Sequence, residues 1–515
     1  MIPASRVHQP RQAPRLALWA LLPLLGLAGC TTLGPDFQAP TADAPQSWKQ
    51  WHSGPVDNQS LALDEQTSLP RQWWRIFADP RLDALQQRLN NSPDLQNAML
   101  DFTRARLQRQ LVAGTQGVQV DASGSAGWYK LSQQGSEARL ASLSSADNEA
   151  LAEALGKPFS LYQAGFDASW ELDLWGQISR NIEAASANAS AAGALLEHTR
   201  ITLHAELARL YFELRAVQAQ SRLLAQQIRL EEEQLQLQQA QVDAGLVNEL
   251  ELEQQHSRLA AQRGALAPLQ AQETELRNAI SLMLGERPGA LAELLDPAPA
   301  TDSEMLAPTT PLPLGIPSTL ARRRPDILAA EAQLHAATAN IGIAIADLYP
   351  KVTLSAGFSF DSVNNVDFGQ WSSREWSLGP GVYLPIFHQG RLRTRIKLSR
   401  AEQEQAAIAY HKTVLSAWQE IDNALSHYRS QLNHQQQLQQ QLASARRRLE
   451  LVAASENAGL IDHRDTLTAK DAVLNLERQL IDSTAQLKIA RVAVYKAVGG
   501  GVDGLDEAAL EDEKS

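Results

Sequence analysis

The chain has 515 residues, with 46 Lys and Arg against 58 Asp and Glu, and is 44% hydrophobic but only 6% aromatic. An acidic balance without a long Lys/Arg stripe excludes a general nucleic-acid binder. One cysteine excludes a disulfide framework and any multi-cysteine zinc or iron–sulfur site. Beyond the amino terminus no segment reaches the roughly 18 unbroken apolar residues of a membrane-spanning helix, which excludes a helical transporter.

Arg6, Arg11 and Arg15 form a cationic start without acids, and Leu16 to Ala28 is a short apolar core ending in Leu27-Ala28-Gly29-Cys30. That order describes a secretory signal peptide over 1–29. With the chain's one cysteine directly after the cut, it resembles the bacterial lipoprotein signal, which implies a covalent lipid on Cys30 and no other cofactor. A free cysteine behind an ordinary signal is the alternative. Removing 1–29 takes away three arginines and no acid, leaving a charge of −15. Acyl chains contribute about 0.8 kcal/mol per buried CH₂, enough for a firm anchor when several are attached. In such lipoproteins a residue other than Asp after the cysteine goes with outer-membrane sorting, and here it is Thr31. Residues 30–79, with Pro35, Pro40, Pro45 and Pro55, read as an extended tether.

The rest is written twice, as one repeat over 80–290 and another over 324–500, joined by a linker over 291–323 and followed by an acidic tail, 501–515. Ala244-Gly245-Leu246-Val247 returns as Ala458-Gly459-Leu460-Ile461, and Leu284-Gly285 as Val498-Gly499, both at a shift of 214. Each repeat reads helix, strand, strand, long helix, turn, helix. In chain order the expected helices are Pro80–Val112, Ile178–Val242, Glu249–Leu284, Pro325–Leu348, Arg391–Glu456 and Arg464–Val498. The two long ones are free of proline and carry apolar residues at 3–4 spacing, such as Leu203, Leu207, Leu210 and Leu214. At 1.5 Å per residue each is about 100 Å long. The length match implies that each long helix packs beside two shorter ones laid end to end, with a coiled-coil seam. Gly245 and Gly459 close the hairpins.

Four strands are expected. Phe166, Ala168, Trp170, Leu172 and Leu174 alternate with Asp167, Ser169, Glu171 and Asp173, and Val352 to Phe360 alternates in the same way. Val118–Trp128 and Trp376–Ile386 are weaker partners. Such alternation fits a sandwich strand or a tilted transmembrane strand, and the acids on one face favour a water-filled lumen. Four strands cannot close a barrel, and an open edge in lipid would leave backbone groups unpaired. In a membrane, several chains must therefore pool their strands.

Ile316-Pro317-Ser318-Thr319-Leu320, Arg323-Arg324-Pro325-Asp326-Ile327 and Leu348-Tyr349-Pro350 resemble the outer-membrane efflux factors, the TolC-like proteins, in their lipid-anchored branch. Trp73-Trp74 with Asp79-Pro80, and Leu172-Asp173-Leu174-Trp175-Gly176, fit the same family. The resemblance implies a fold that is mainly α with a β-barrel portion: a homotrimer whose twelve strands form an outer-membrane barrel continuous with a twelve-helix periplasmic α-barrel. It implies outer-membrane lipids, a periplasmic adaptor and an inner-membrane efflux pump as partners, and a passive exit duct for small molecules. A duct for a siderophore or protein, fed by an ATP-driven pump, and a periplasmic adaptor or coiled-coil scaffold are the alternatives. No HExxH, GxSxG or P-loop pattern occurs, so no catalysis is expected. In the family the periplasmic tip is the gate, which points to Asp462, Asp465 and Arg464 beside Gly459. The acids fit equally the favoured placement of carboxylates at a helix start. Trp128, Phe166, Trp170 and Trp376 could form an aromatic girdle at the membrane interface.

Overall fold

The computed structural model describes residues 32–500 apart from 42–46, 49–53, 55–60, 65, 66, 68, 133, 134, 136–155, 247, 297–310, 315–322 and 462. The signal segment, Cys30, the Ile316–Leu320 motif, Asp462 and the acidic tail lie outside the described residues. Seven helices of eight or more residues are described: α1 (Pro80–Arg88), α2 (Pro93–Ala113), α3 (Gln177–Asp243), α4 (Glu249–Met283), α5 (Pro325–Ala346), α6 (Arg391–Asn457) and α7 (His463–Ala497). The longer strands are β1 (Gln119–Tyr129), β2 (Phe159–Leu172), β3 (Lys351–Ser362) and β4 (Arg374–Tyr383). The internal duplication is exact in length: α3 and α6 have 67 residues each, α4 and α7 have 35 each. Their first residues are offset by the same 214 positions as the glycine turns.

The long helices begin and end within a residue of the expected limits. The expected helix Pro80–Val112 is instead broken. After α1 comes one 3₁₀ turn, Leu89–Asn91, and Ser92 leaves the helical region at φ −57°, ψ 129°. Pro93 causes this, because its ring disfavours helical backbone at the preceding residue. Pro268 sits inside α4 without ending it. There Leu259, Leu266 and Leu269 pack on Leu224, Ile228 and Leu235 of α3, and that burial offsets the one lost hydrogen bond.

Two compact units form. The first comprises 1–38, 107–187 and 335–405, and the second 39–106, 188–334 and 406–515. In the first unit the strands make one antiparallel sheet in the order β1-β2-β3-β4. The second unit is helical, with a core that joins α1, α3, α4, α6 and α7 through Leu82, Leu85, Leu207, Leu214, Ile280, Ile421, Leu425 and Tyr495. Seven-residue steps such as Ile228 to Leu235 and Leu259 to Leu266 give the α3–α4 contact coiled-coil spacing. Polar rungs flank it, Gln262 Nε2 donating to Glu231 at 2.6 Å and Arg263 pairing with Glu232 at 2.6 Å.

Candidate functional site

The sheet separates its residues by parity. Register places Ala122, Phe166, Phe358 and Trp376 in one row across all four strands, with Trp170 beside Leu354 four residues on. The same face carries Val120, Trp128, Ala168, Val352, Leu378 and Val382. The opposite face carries Asp121, Ser123, Ser125, Gln163, Asp167, Ser169, Glu171, Thr353, Ser355, Asp361, Glu375 and Ser377. Its groups bond across strands, Gln163 Nε2 donating to Asp361 at 2.8 Å. The apolar face is uncovered: Trp128 is 85% exposed, Trp376 69% and Phe166 61%. A wide exposed apolar patch marks a surface that meets lipid or protein. Trp128, Phe166, Trp170 and Trp376 share this face, with Phe166 and Trp376 in one row and Trp128 and Trp170 toward opposite ends of the sheet.

Asp173 departs from its expected place among the lumen acids. The strand ends at Leu172, and the Asp173 carboxylate caps α3, accepting from Ile178 N at 2.9 Å and from Ser179 N and Oγ at 2.7 and 2.6 Å. Unpaired amides at a helix start make a better partner for a carboxylate than open water. Trp175 and Gly176 complete this turn. The Trp175 indole donates to Pro350 O at 2.8 Å, and Gly176 has φ +73°, with a Cβ there only 2.7 Å from Thr32 Cα.

That contact belongs to a docked tether. Residues 32–37 lie in defined contacts against the first turn of α3 and against α5. Leu33 N donates to Trp175 O at 3.2 Å. The Arg180 guanidinium, 4% exposed, donates to Leu33 O at 3.1 Å and pairs with Asp36 and Glu183 at 2.7 Å each. Phe37 stacks on His335 at 4.4 Å, and His335 Nε2 reaches Glu183 at 2.8 Å. Gly34 crosses Gly342 so closely that an added Cβ would lie 2.5 Å from the Gly342 Cα. Residues 32–41 are irregular, as expected of a tether, yet the first of them dock. Its prolines gave no sign that its first residues dock.

The hairpin tips share one geometry. Gly245 and Gly459 both have φ +71°. Gly245 N donates to Val242 O at 2.9 Å and Leu246 N to Gln241 O at 2.8 Å. The corresponding bonds at Gly459 and Leu460 are 2.8 and 2.9 Å. This is the glycine-closed helix end in which left-handed backbone satisfies two orphan carbonyls. Arg464 and Asp465 are exposed in the first turn of α7, so Asp465 is placed at the tip with Arg464 beside it. Glu251 stands at the matching place in the first turn of α4, a position that sequence reasoning passed over. The 214-residue offset would have found it, since Glu251 is the counterpart of Asp465.

The remaining motif residues are structural pivots. Asp79 caps α1, accepting from Arg81 N and Leu82 N, while its second oxygen accepts from the buried Tyr211 hydroxyl at 2.6 Å. Burial and the Asp79 charge push the Tyr211 hydroxyl pKa well up. Arg324 donates to Ala497 O at 2.6 Å and holds Asp326 and Glu420 at 2.6 and 2.8 Å. Burial alone would raise the Asp326 pKa, but the Arg324 bonds and charge outweigh it and the group is lowered. No group of three or more His, Cys, Asp or Glu able to hold a metal occurs among the described residues, and no described helix is long and apolar enough to cross a membrane.

A sheet with one bare apolar face and one polar face, in a chain with two 67-residue helices, fits a channel-type outer-membrane protein. Residues 84–286 and 316–500 match the model of the outer membrane efflux protein family, and the chain belongs to that family. It is 27% identical to the probable outer membrane lipoprotein SilC of Salmonella typhimurium, over 95% of this chain and 99% of that one. It is 30% identical to the pyoverdine export outer membrane protein OpmQ of Pseudomonas putida, over 93% and 97%. Among solved structures it is similar to the outer-membrane channel OprN, with TM-score 0.78 and 32% identity over 91% of this chain and 99% of that chain. The protein is therefore an outer-membrane channel component of an efflux system, and not an enzyme.

Proposed function

We propose that three copies of this chain pool their strands into one twelve-stranded barrel in the outer membrane, continuous with a twelve-helix duct through the periplasm. The two-faced sheet with bare edges carries this reading. β1 and β4, of 11 and 10 residues, each have one edge without a partner among the described residues. Strands of about 9–11 residues match a bilayer, and in lipid every edge must be paired. Pairing β4 of one copy with β1 of the next satisfies both edges and closes the ring. The apolar face then meets lipid, and the acidic and hydroxyl-bearing face lines water.

The lipid on Cys30 anchors the chain, and the docked tether holds that lipid beside the base of the sheet. Thr32 follows Cys30 by two positions, at most about 7 Å of extended chain. A periplasmic adaptor engages the helical portion, and an inner-membrane pump drives cargo into the duct. The cargo is a small toxic compound. Among the relatives, CusC of Escherichia coli is named for cation efflux, OpmQ for pyoverdine export and ArpC of Pseudomonas putida for antibiotic efflux. The OpmQ likeness supports a second reading, export of a siderophore. Asp462, Asp465 and Glu251 line the tip, where rings of carboxylates favour cations and repel one another, with Arg464 as their counter-charge. Purified protein in planar bilayers should form discrete ion-conducting channels. Absence of conductance from correctly folded protein would overturn the duct.

A further inference from the structure

The start of α6 carries charge that its own fold does not use. Arg391, Arg393, Arg395, Lys397 and Arg400 put five cations into ten residues, with no acid among them. Cations at a helix amino terminus oppose the helix dipole, and like charges four residues apart repel. Arg395 reaches Asp347 at 3.8 Å. Arg393, Lys397 and Arg400, at i, i+4 and i+7, share one helix face. All three are exposed, with no ion pair or hydrogen bond among the described residues. The internal duplication supplies a control. Stepping back by 214 from these three positions gives Ser179, Glu183 and Ser186 at the start of α3, whose first ten residues carry one cation and one acid. A helix of the same length therefore forms without the stripe.

An exposed apolar pair adjoins the stripe. Phe387 stands where the first repeat has Asp173, the carboxylate that caps α3. It is 81% exposed, beside Ile386 at 91%. Leu384 and Ile386 continue in sequence the alternation of Leu378 and Val382 on the apolar face of the sheet. Between the pair and the cations the chain turns sharply: Arg391 N donates to His388 O at 2.9 Å, with Gln389 at φ +48° and Gly390 at φ +81°. A non-glycine residue is strained at such an angle, so this turn is held against local preference.

We propose that Ile386, Phe387 and the face of Arg393, Lys397 and Arg400 form a binding site for anionic phospholipid in the periplasmic leaflet of the outer membrane. Acyl chains lie on the apolar pair and the headgroup phosphate on the cations. This rests on the reading that the sheet lies in that membrane with its helices in the periplasm. Apolar side chains followed by cations is the order in which a chain leaving a bilayer meets acyl chains and then phosphates. Charge selects lipid over a second copy. In the closed ring β4 meets the next copy's β1, and the residues leading into β1, 103–118, include Arg104, Arg106 and Arg109 and no acid. The neighbour thus adds cations beside the stripe instead of neutralising it.

The test is native mass spectrometry of the detergent-solubilised full mature chain, titrated with phosphatidylglycerol or with zwitterionic phosphatidylcholine of the same acyl chains. Phosphatidylglycerol should bind more tightly. Each Lys or Arg beside an anionic headgroup surface contributes about fivefold. Arg393→Gln, Lys397→Gln and Arg400→Gln together should therefore weaken phosphatidylglycerol binding at least about tenfold and leave phosphatidylcholine binding unchanged. Arg393→Lys with Arg400→Lys should keep the preference, and Phe387→Ser should weaken both lipids alike. Equal binding of the two lipids by the unaltered chain, or undiminished phosphatidylglycerol binding by the triple Gln variant, would overturn the proposal. So would a triple variant whose particle loses copies, since the cations would then be contacts between copies. The same spectra count the chains per particle. A trimer without headgroup preference contradicts this site alone, whereas a single-chain particle contradicts the barrel on which it rests.

Discussion

Replacing Arg180 by Met isolates what holds the tether, because Met keeps most of the side-chain bulk and removes the charge. Three bonds are lost, and they differ in weight. The one to Asp36 contributes little, since that carboxylate is 85% exposed and screened by water. Glu183 keeps a partner in His335 at 2.8 Å. The Leu33 carbonyl loses its charged donor, a bond of the kind that contributes about 1.5–3 kcal/mol. A local loss of about 2–3 kcal/mol corresponds to roughly 30- to 150-fold easier opening of the tether. Hydrogen exchange read by mass spectrometry on peptides covering 32–38 measures it, because the Leu33 amide is bonded to Trp175 O at 3.2 Å in the docked state. Peptides from β2 and β3 serve as the reference and should exchange as before. Unchanged exchange at 32–38 would refute the clamp, and faster exchange everywhere would show that Arg180 supports the whole unit.

Gly459→Val forces a β-branched residue to φ +71° and should cost about 1–2 kcal/mol, as should Gly245→Val. Faster exchange should be confined to the helix ends beside each tip, and exchange spread along α6 or α3 would contradict a purely local turn. Asp462→Ala combined with Asp465→Ala should raise single-channel conductance, and adding Glu251→Ala should raise it further. Unchanged conductance would return these acids to helix capping. His204 is held neutral by burial and by the nearby Arg200, which pull its pKa down to about 4. Its contribution to stability is therefore complete above the unfolded value of about 6.5 and is lost as pH falls towards 4, by up to about 3 kcal/mol. The denaturant midpoint should drop over that window, and His204→Gln should flatten the drop; an identical pH profile would remove His204 from the account of acid sensitivity.

The long helices were legible because nothing interrupts their 3–4 spacing over many turns, and the duplication fixes their matching lengths. The strands were legible in type because strict alternation persists through Phe166–Leu172 and Val352–Phe360, although Asp173 follows the same alternation and yet serves a helix start. Alternation cannot tell where a strand stops when the next turn needs a carboxylate. The break at Ser92 was present in the sequence as Ser-Pro, but Pro268 shows why such a signal is ambiguous: packing on α3 carries one proline through a helix while the other ends it. The clamp on residues 32–37 depends on Arg180, Glu183, His335 and Gly342, which are distant in sequence and show no common pattern.

The native mass of the detergent-extracted mature protein tests most directly whether chains pool their strands into one channel. Three chains per particle is the expected result, since twelve strands then close without a bare edge. A stable particle of a single chain would leave β1 and β4 unpaired in lipid, and the barrel and the duct through it would both be contradicted.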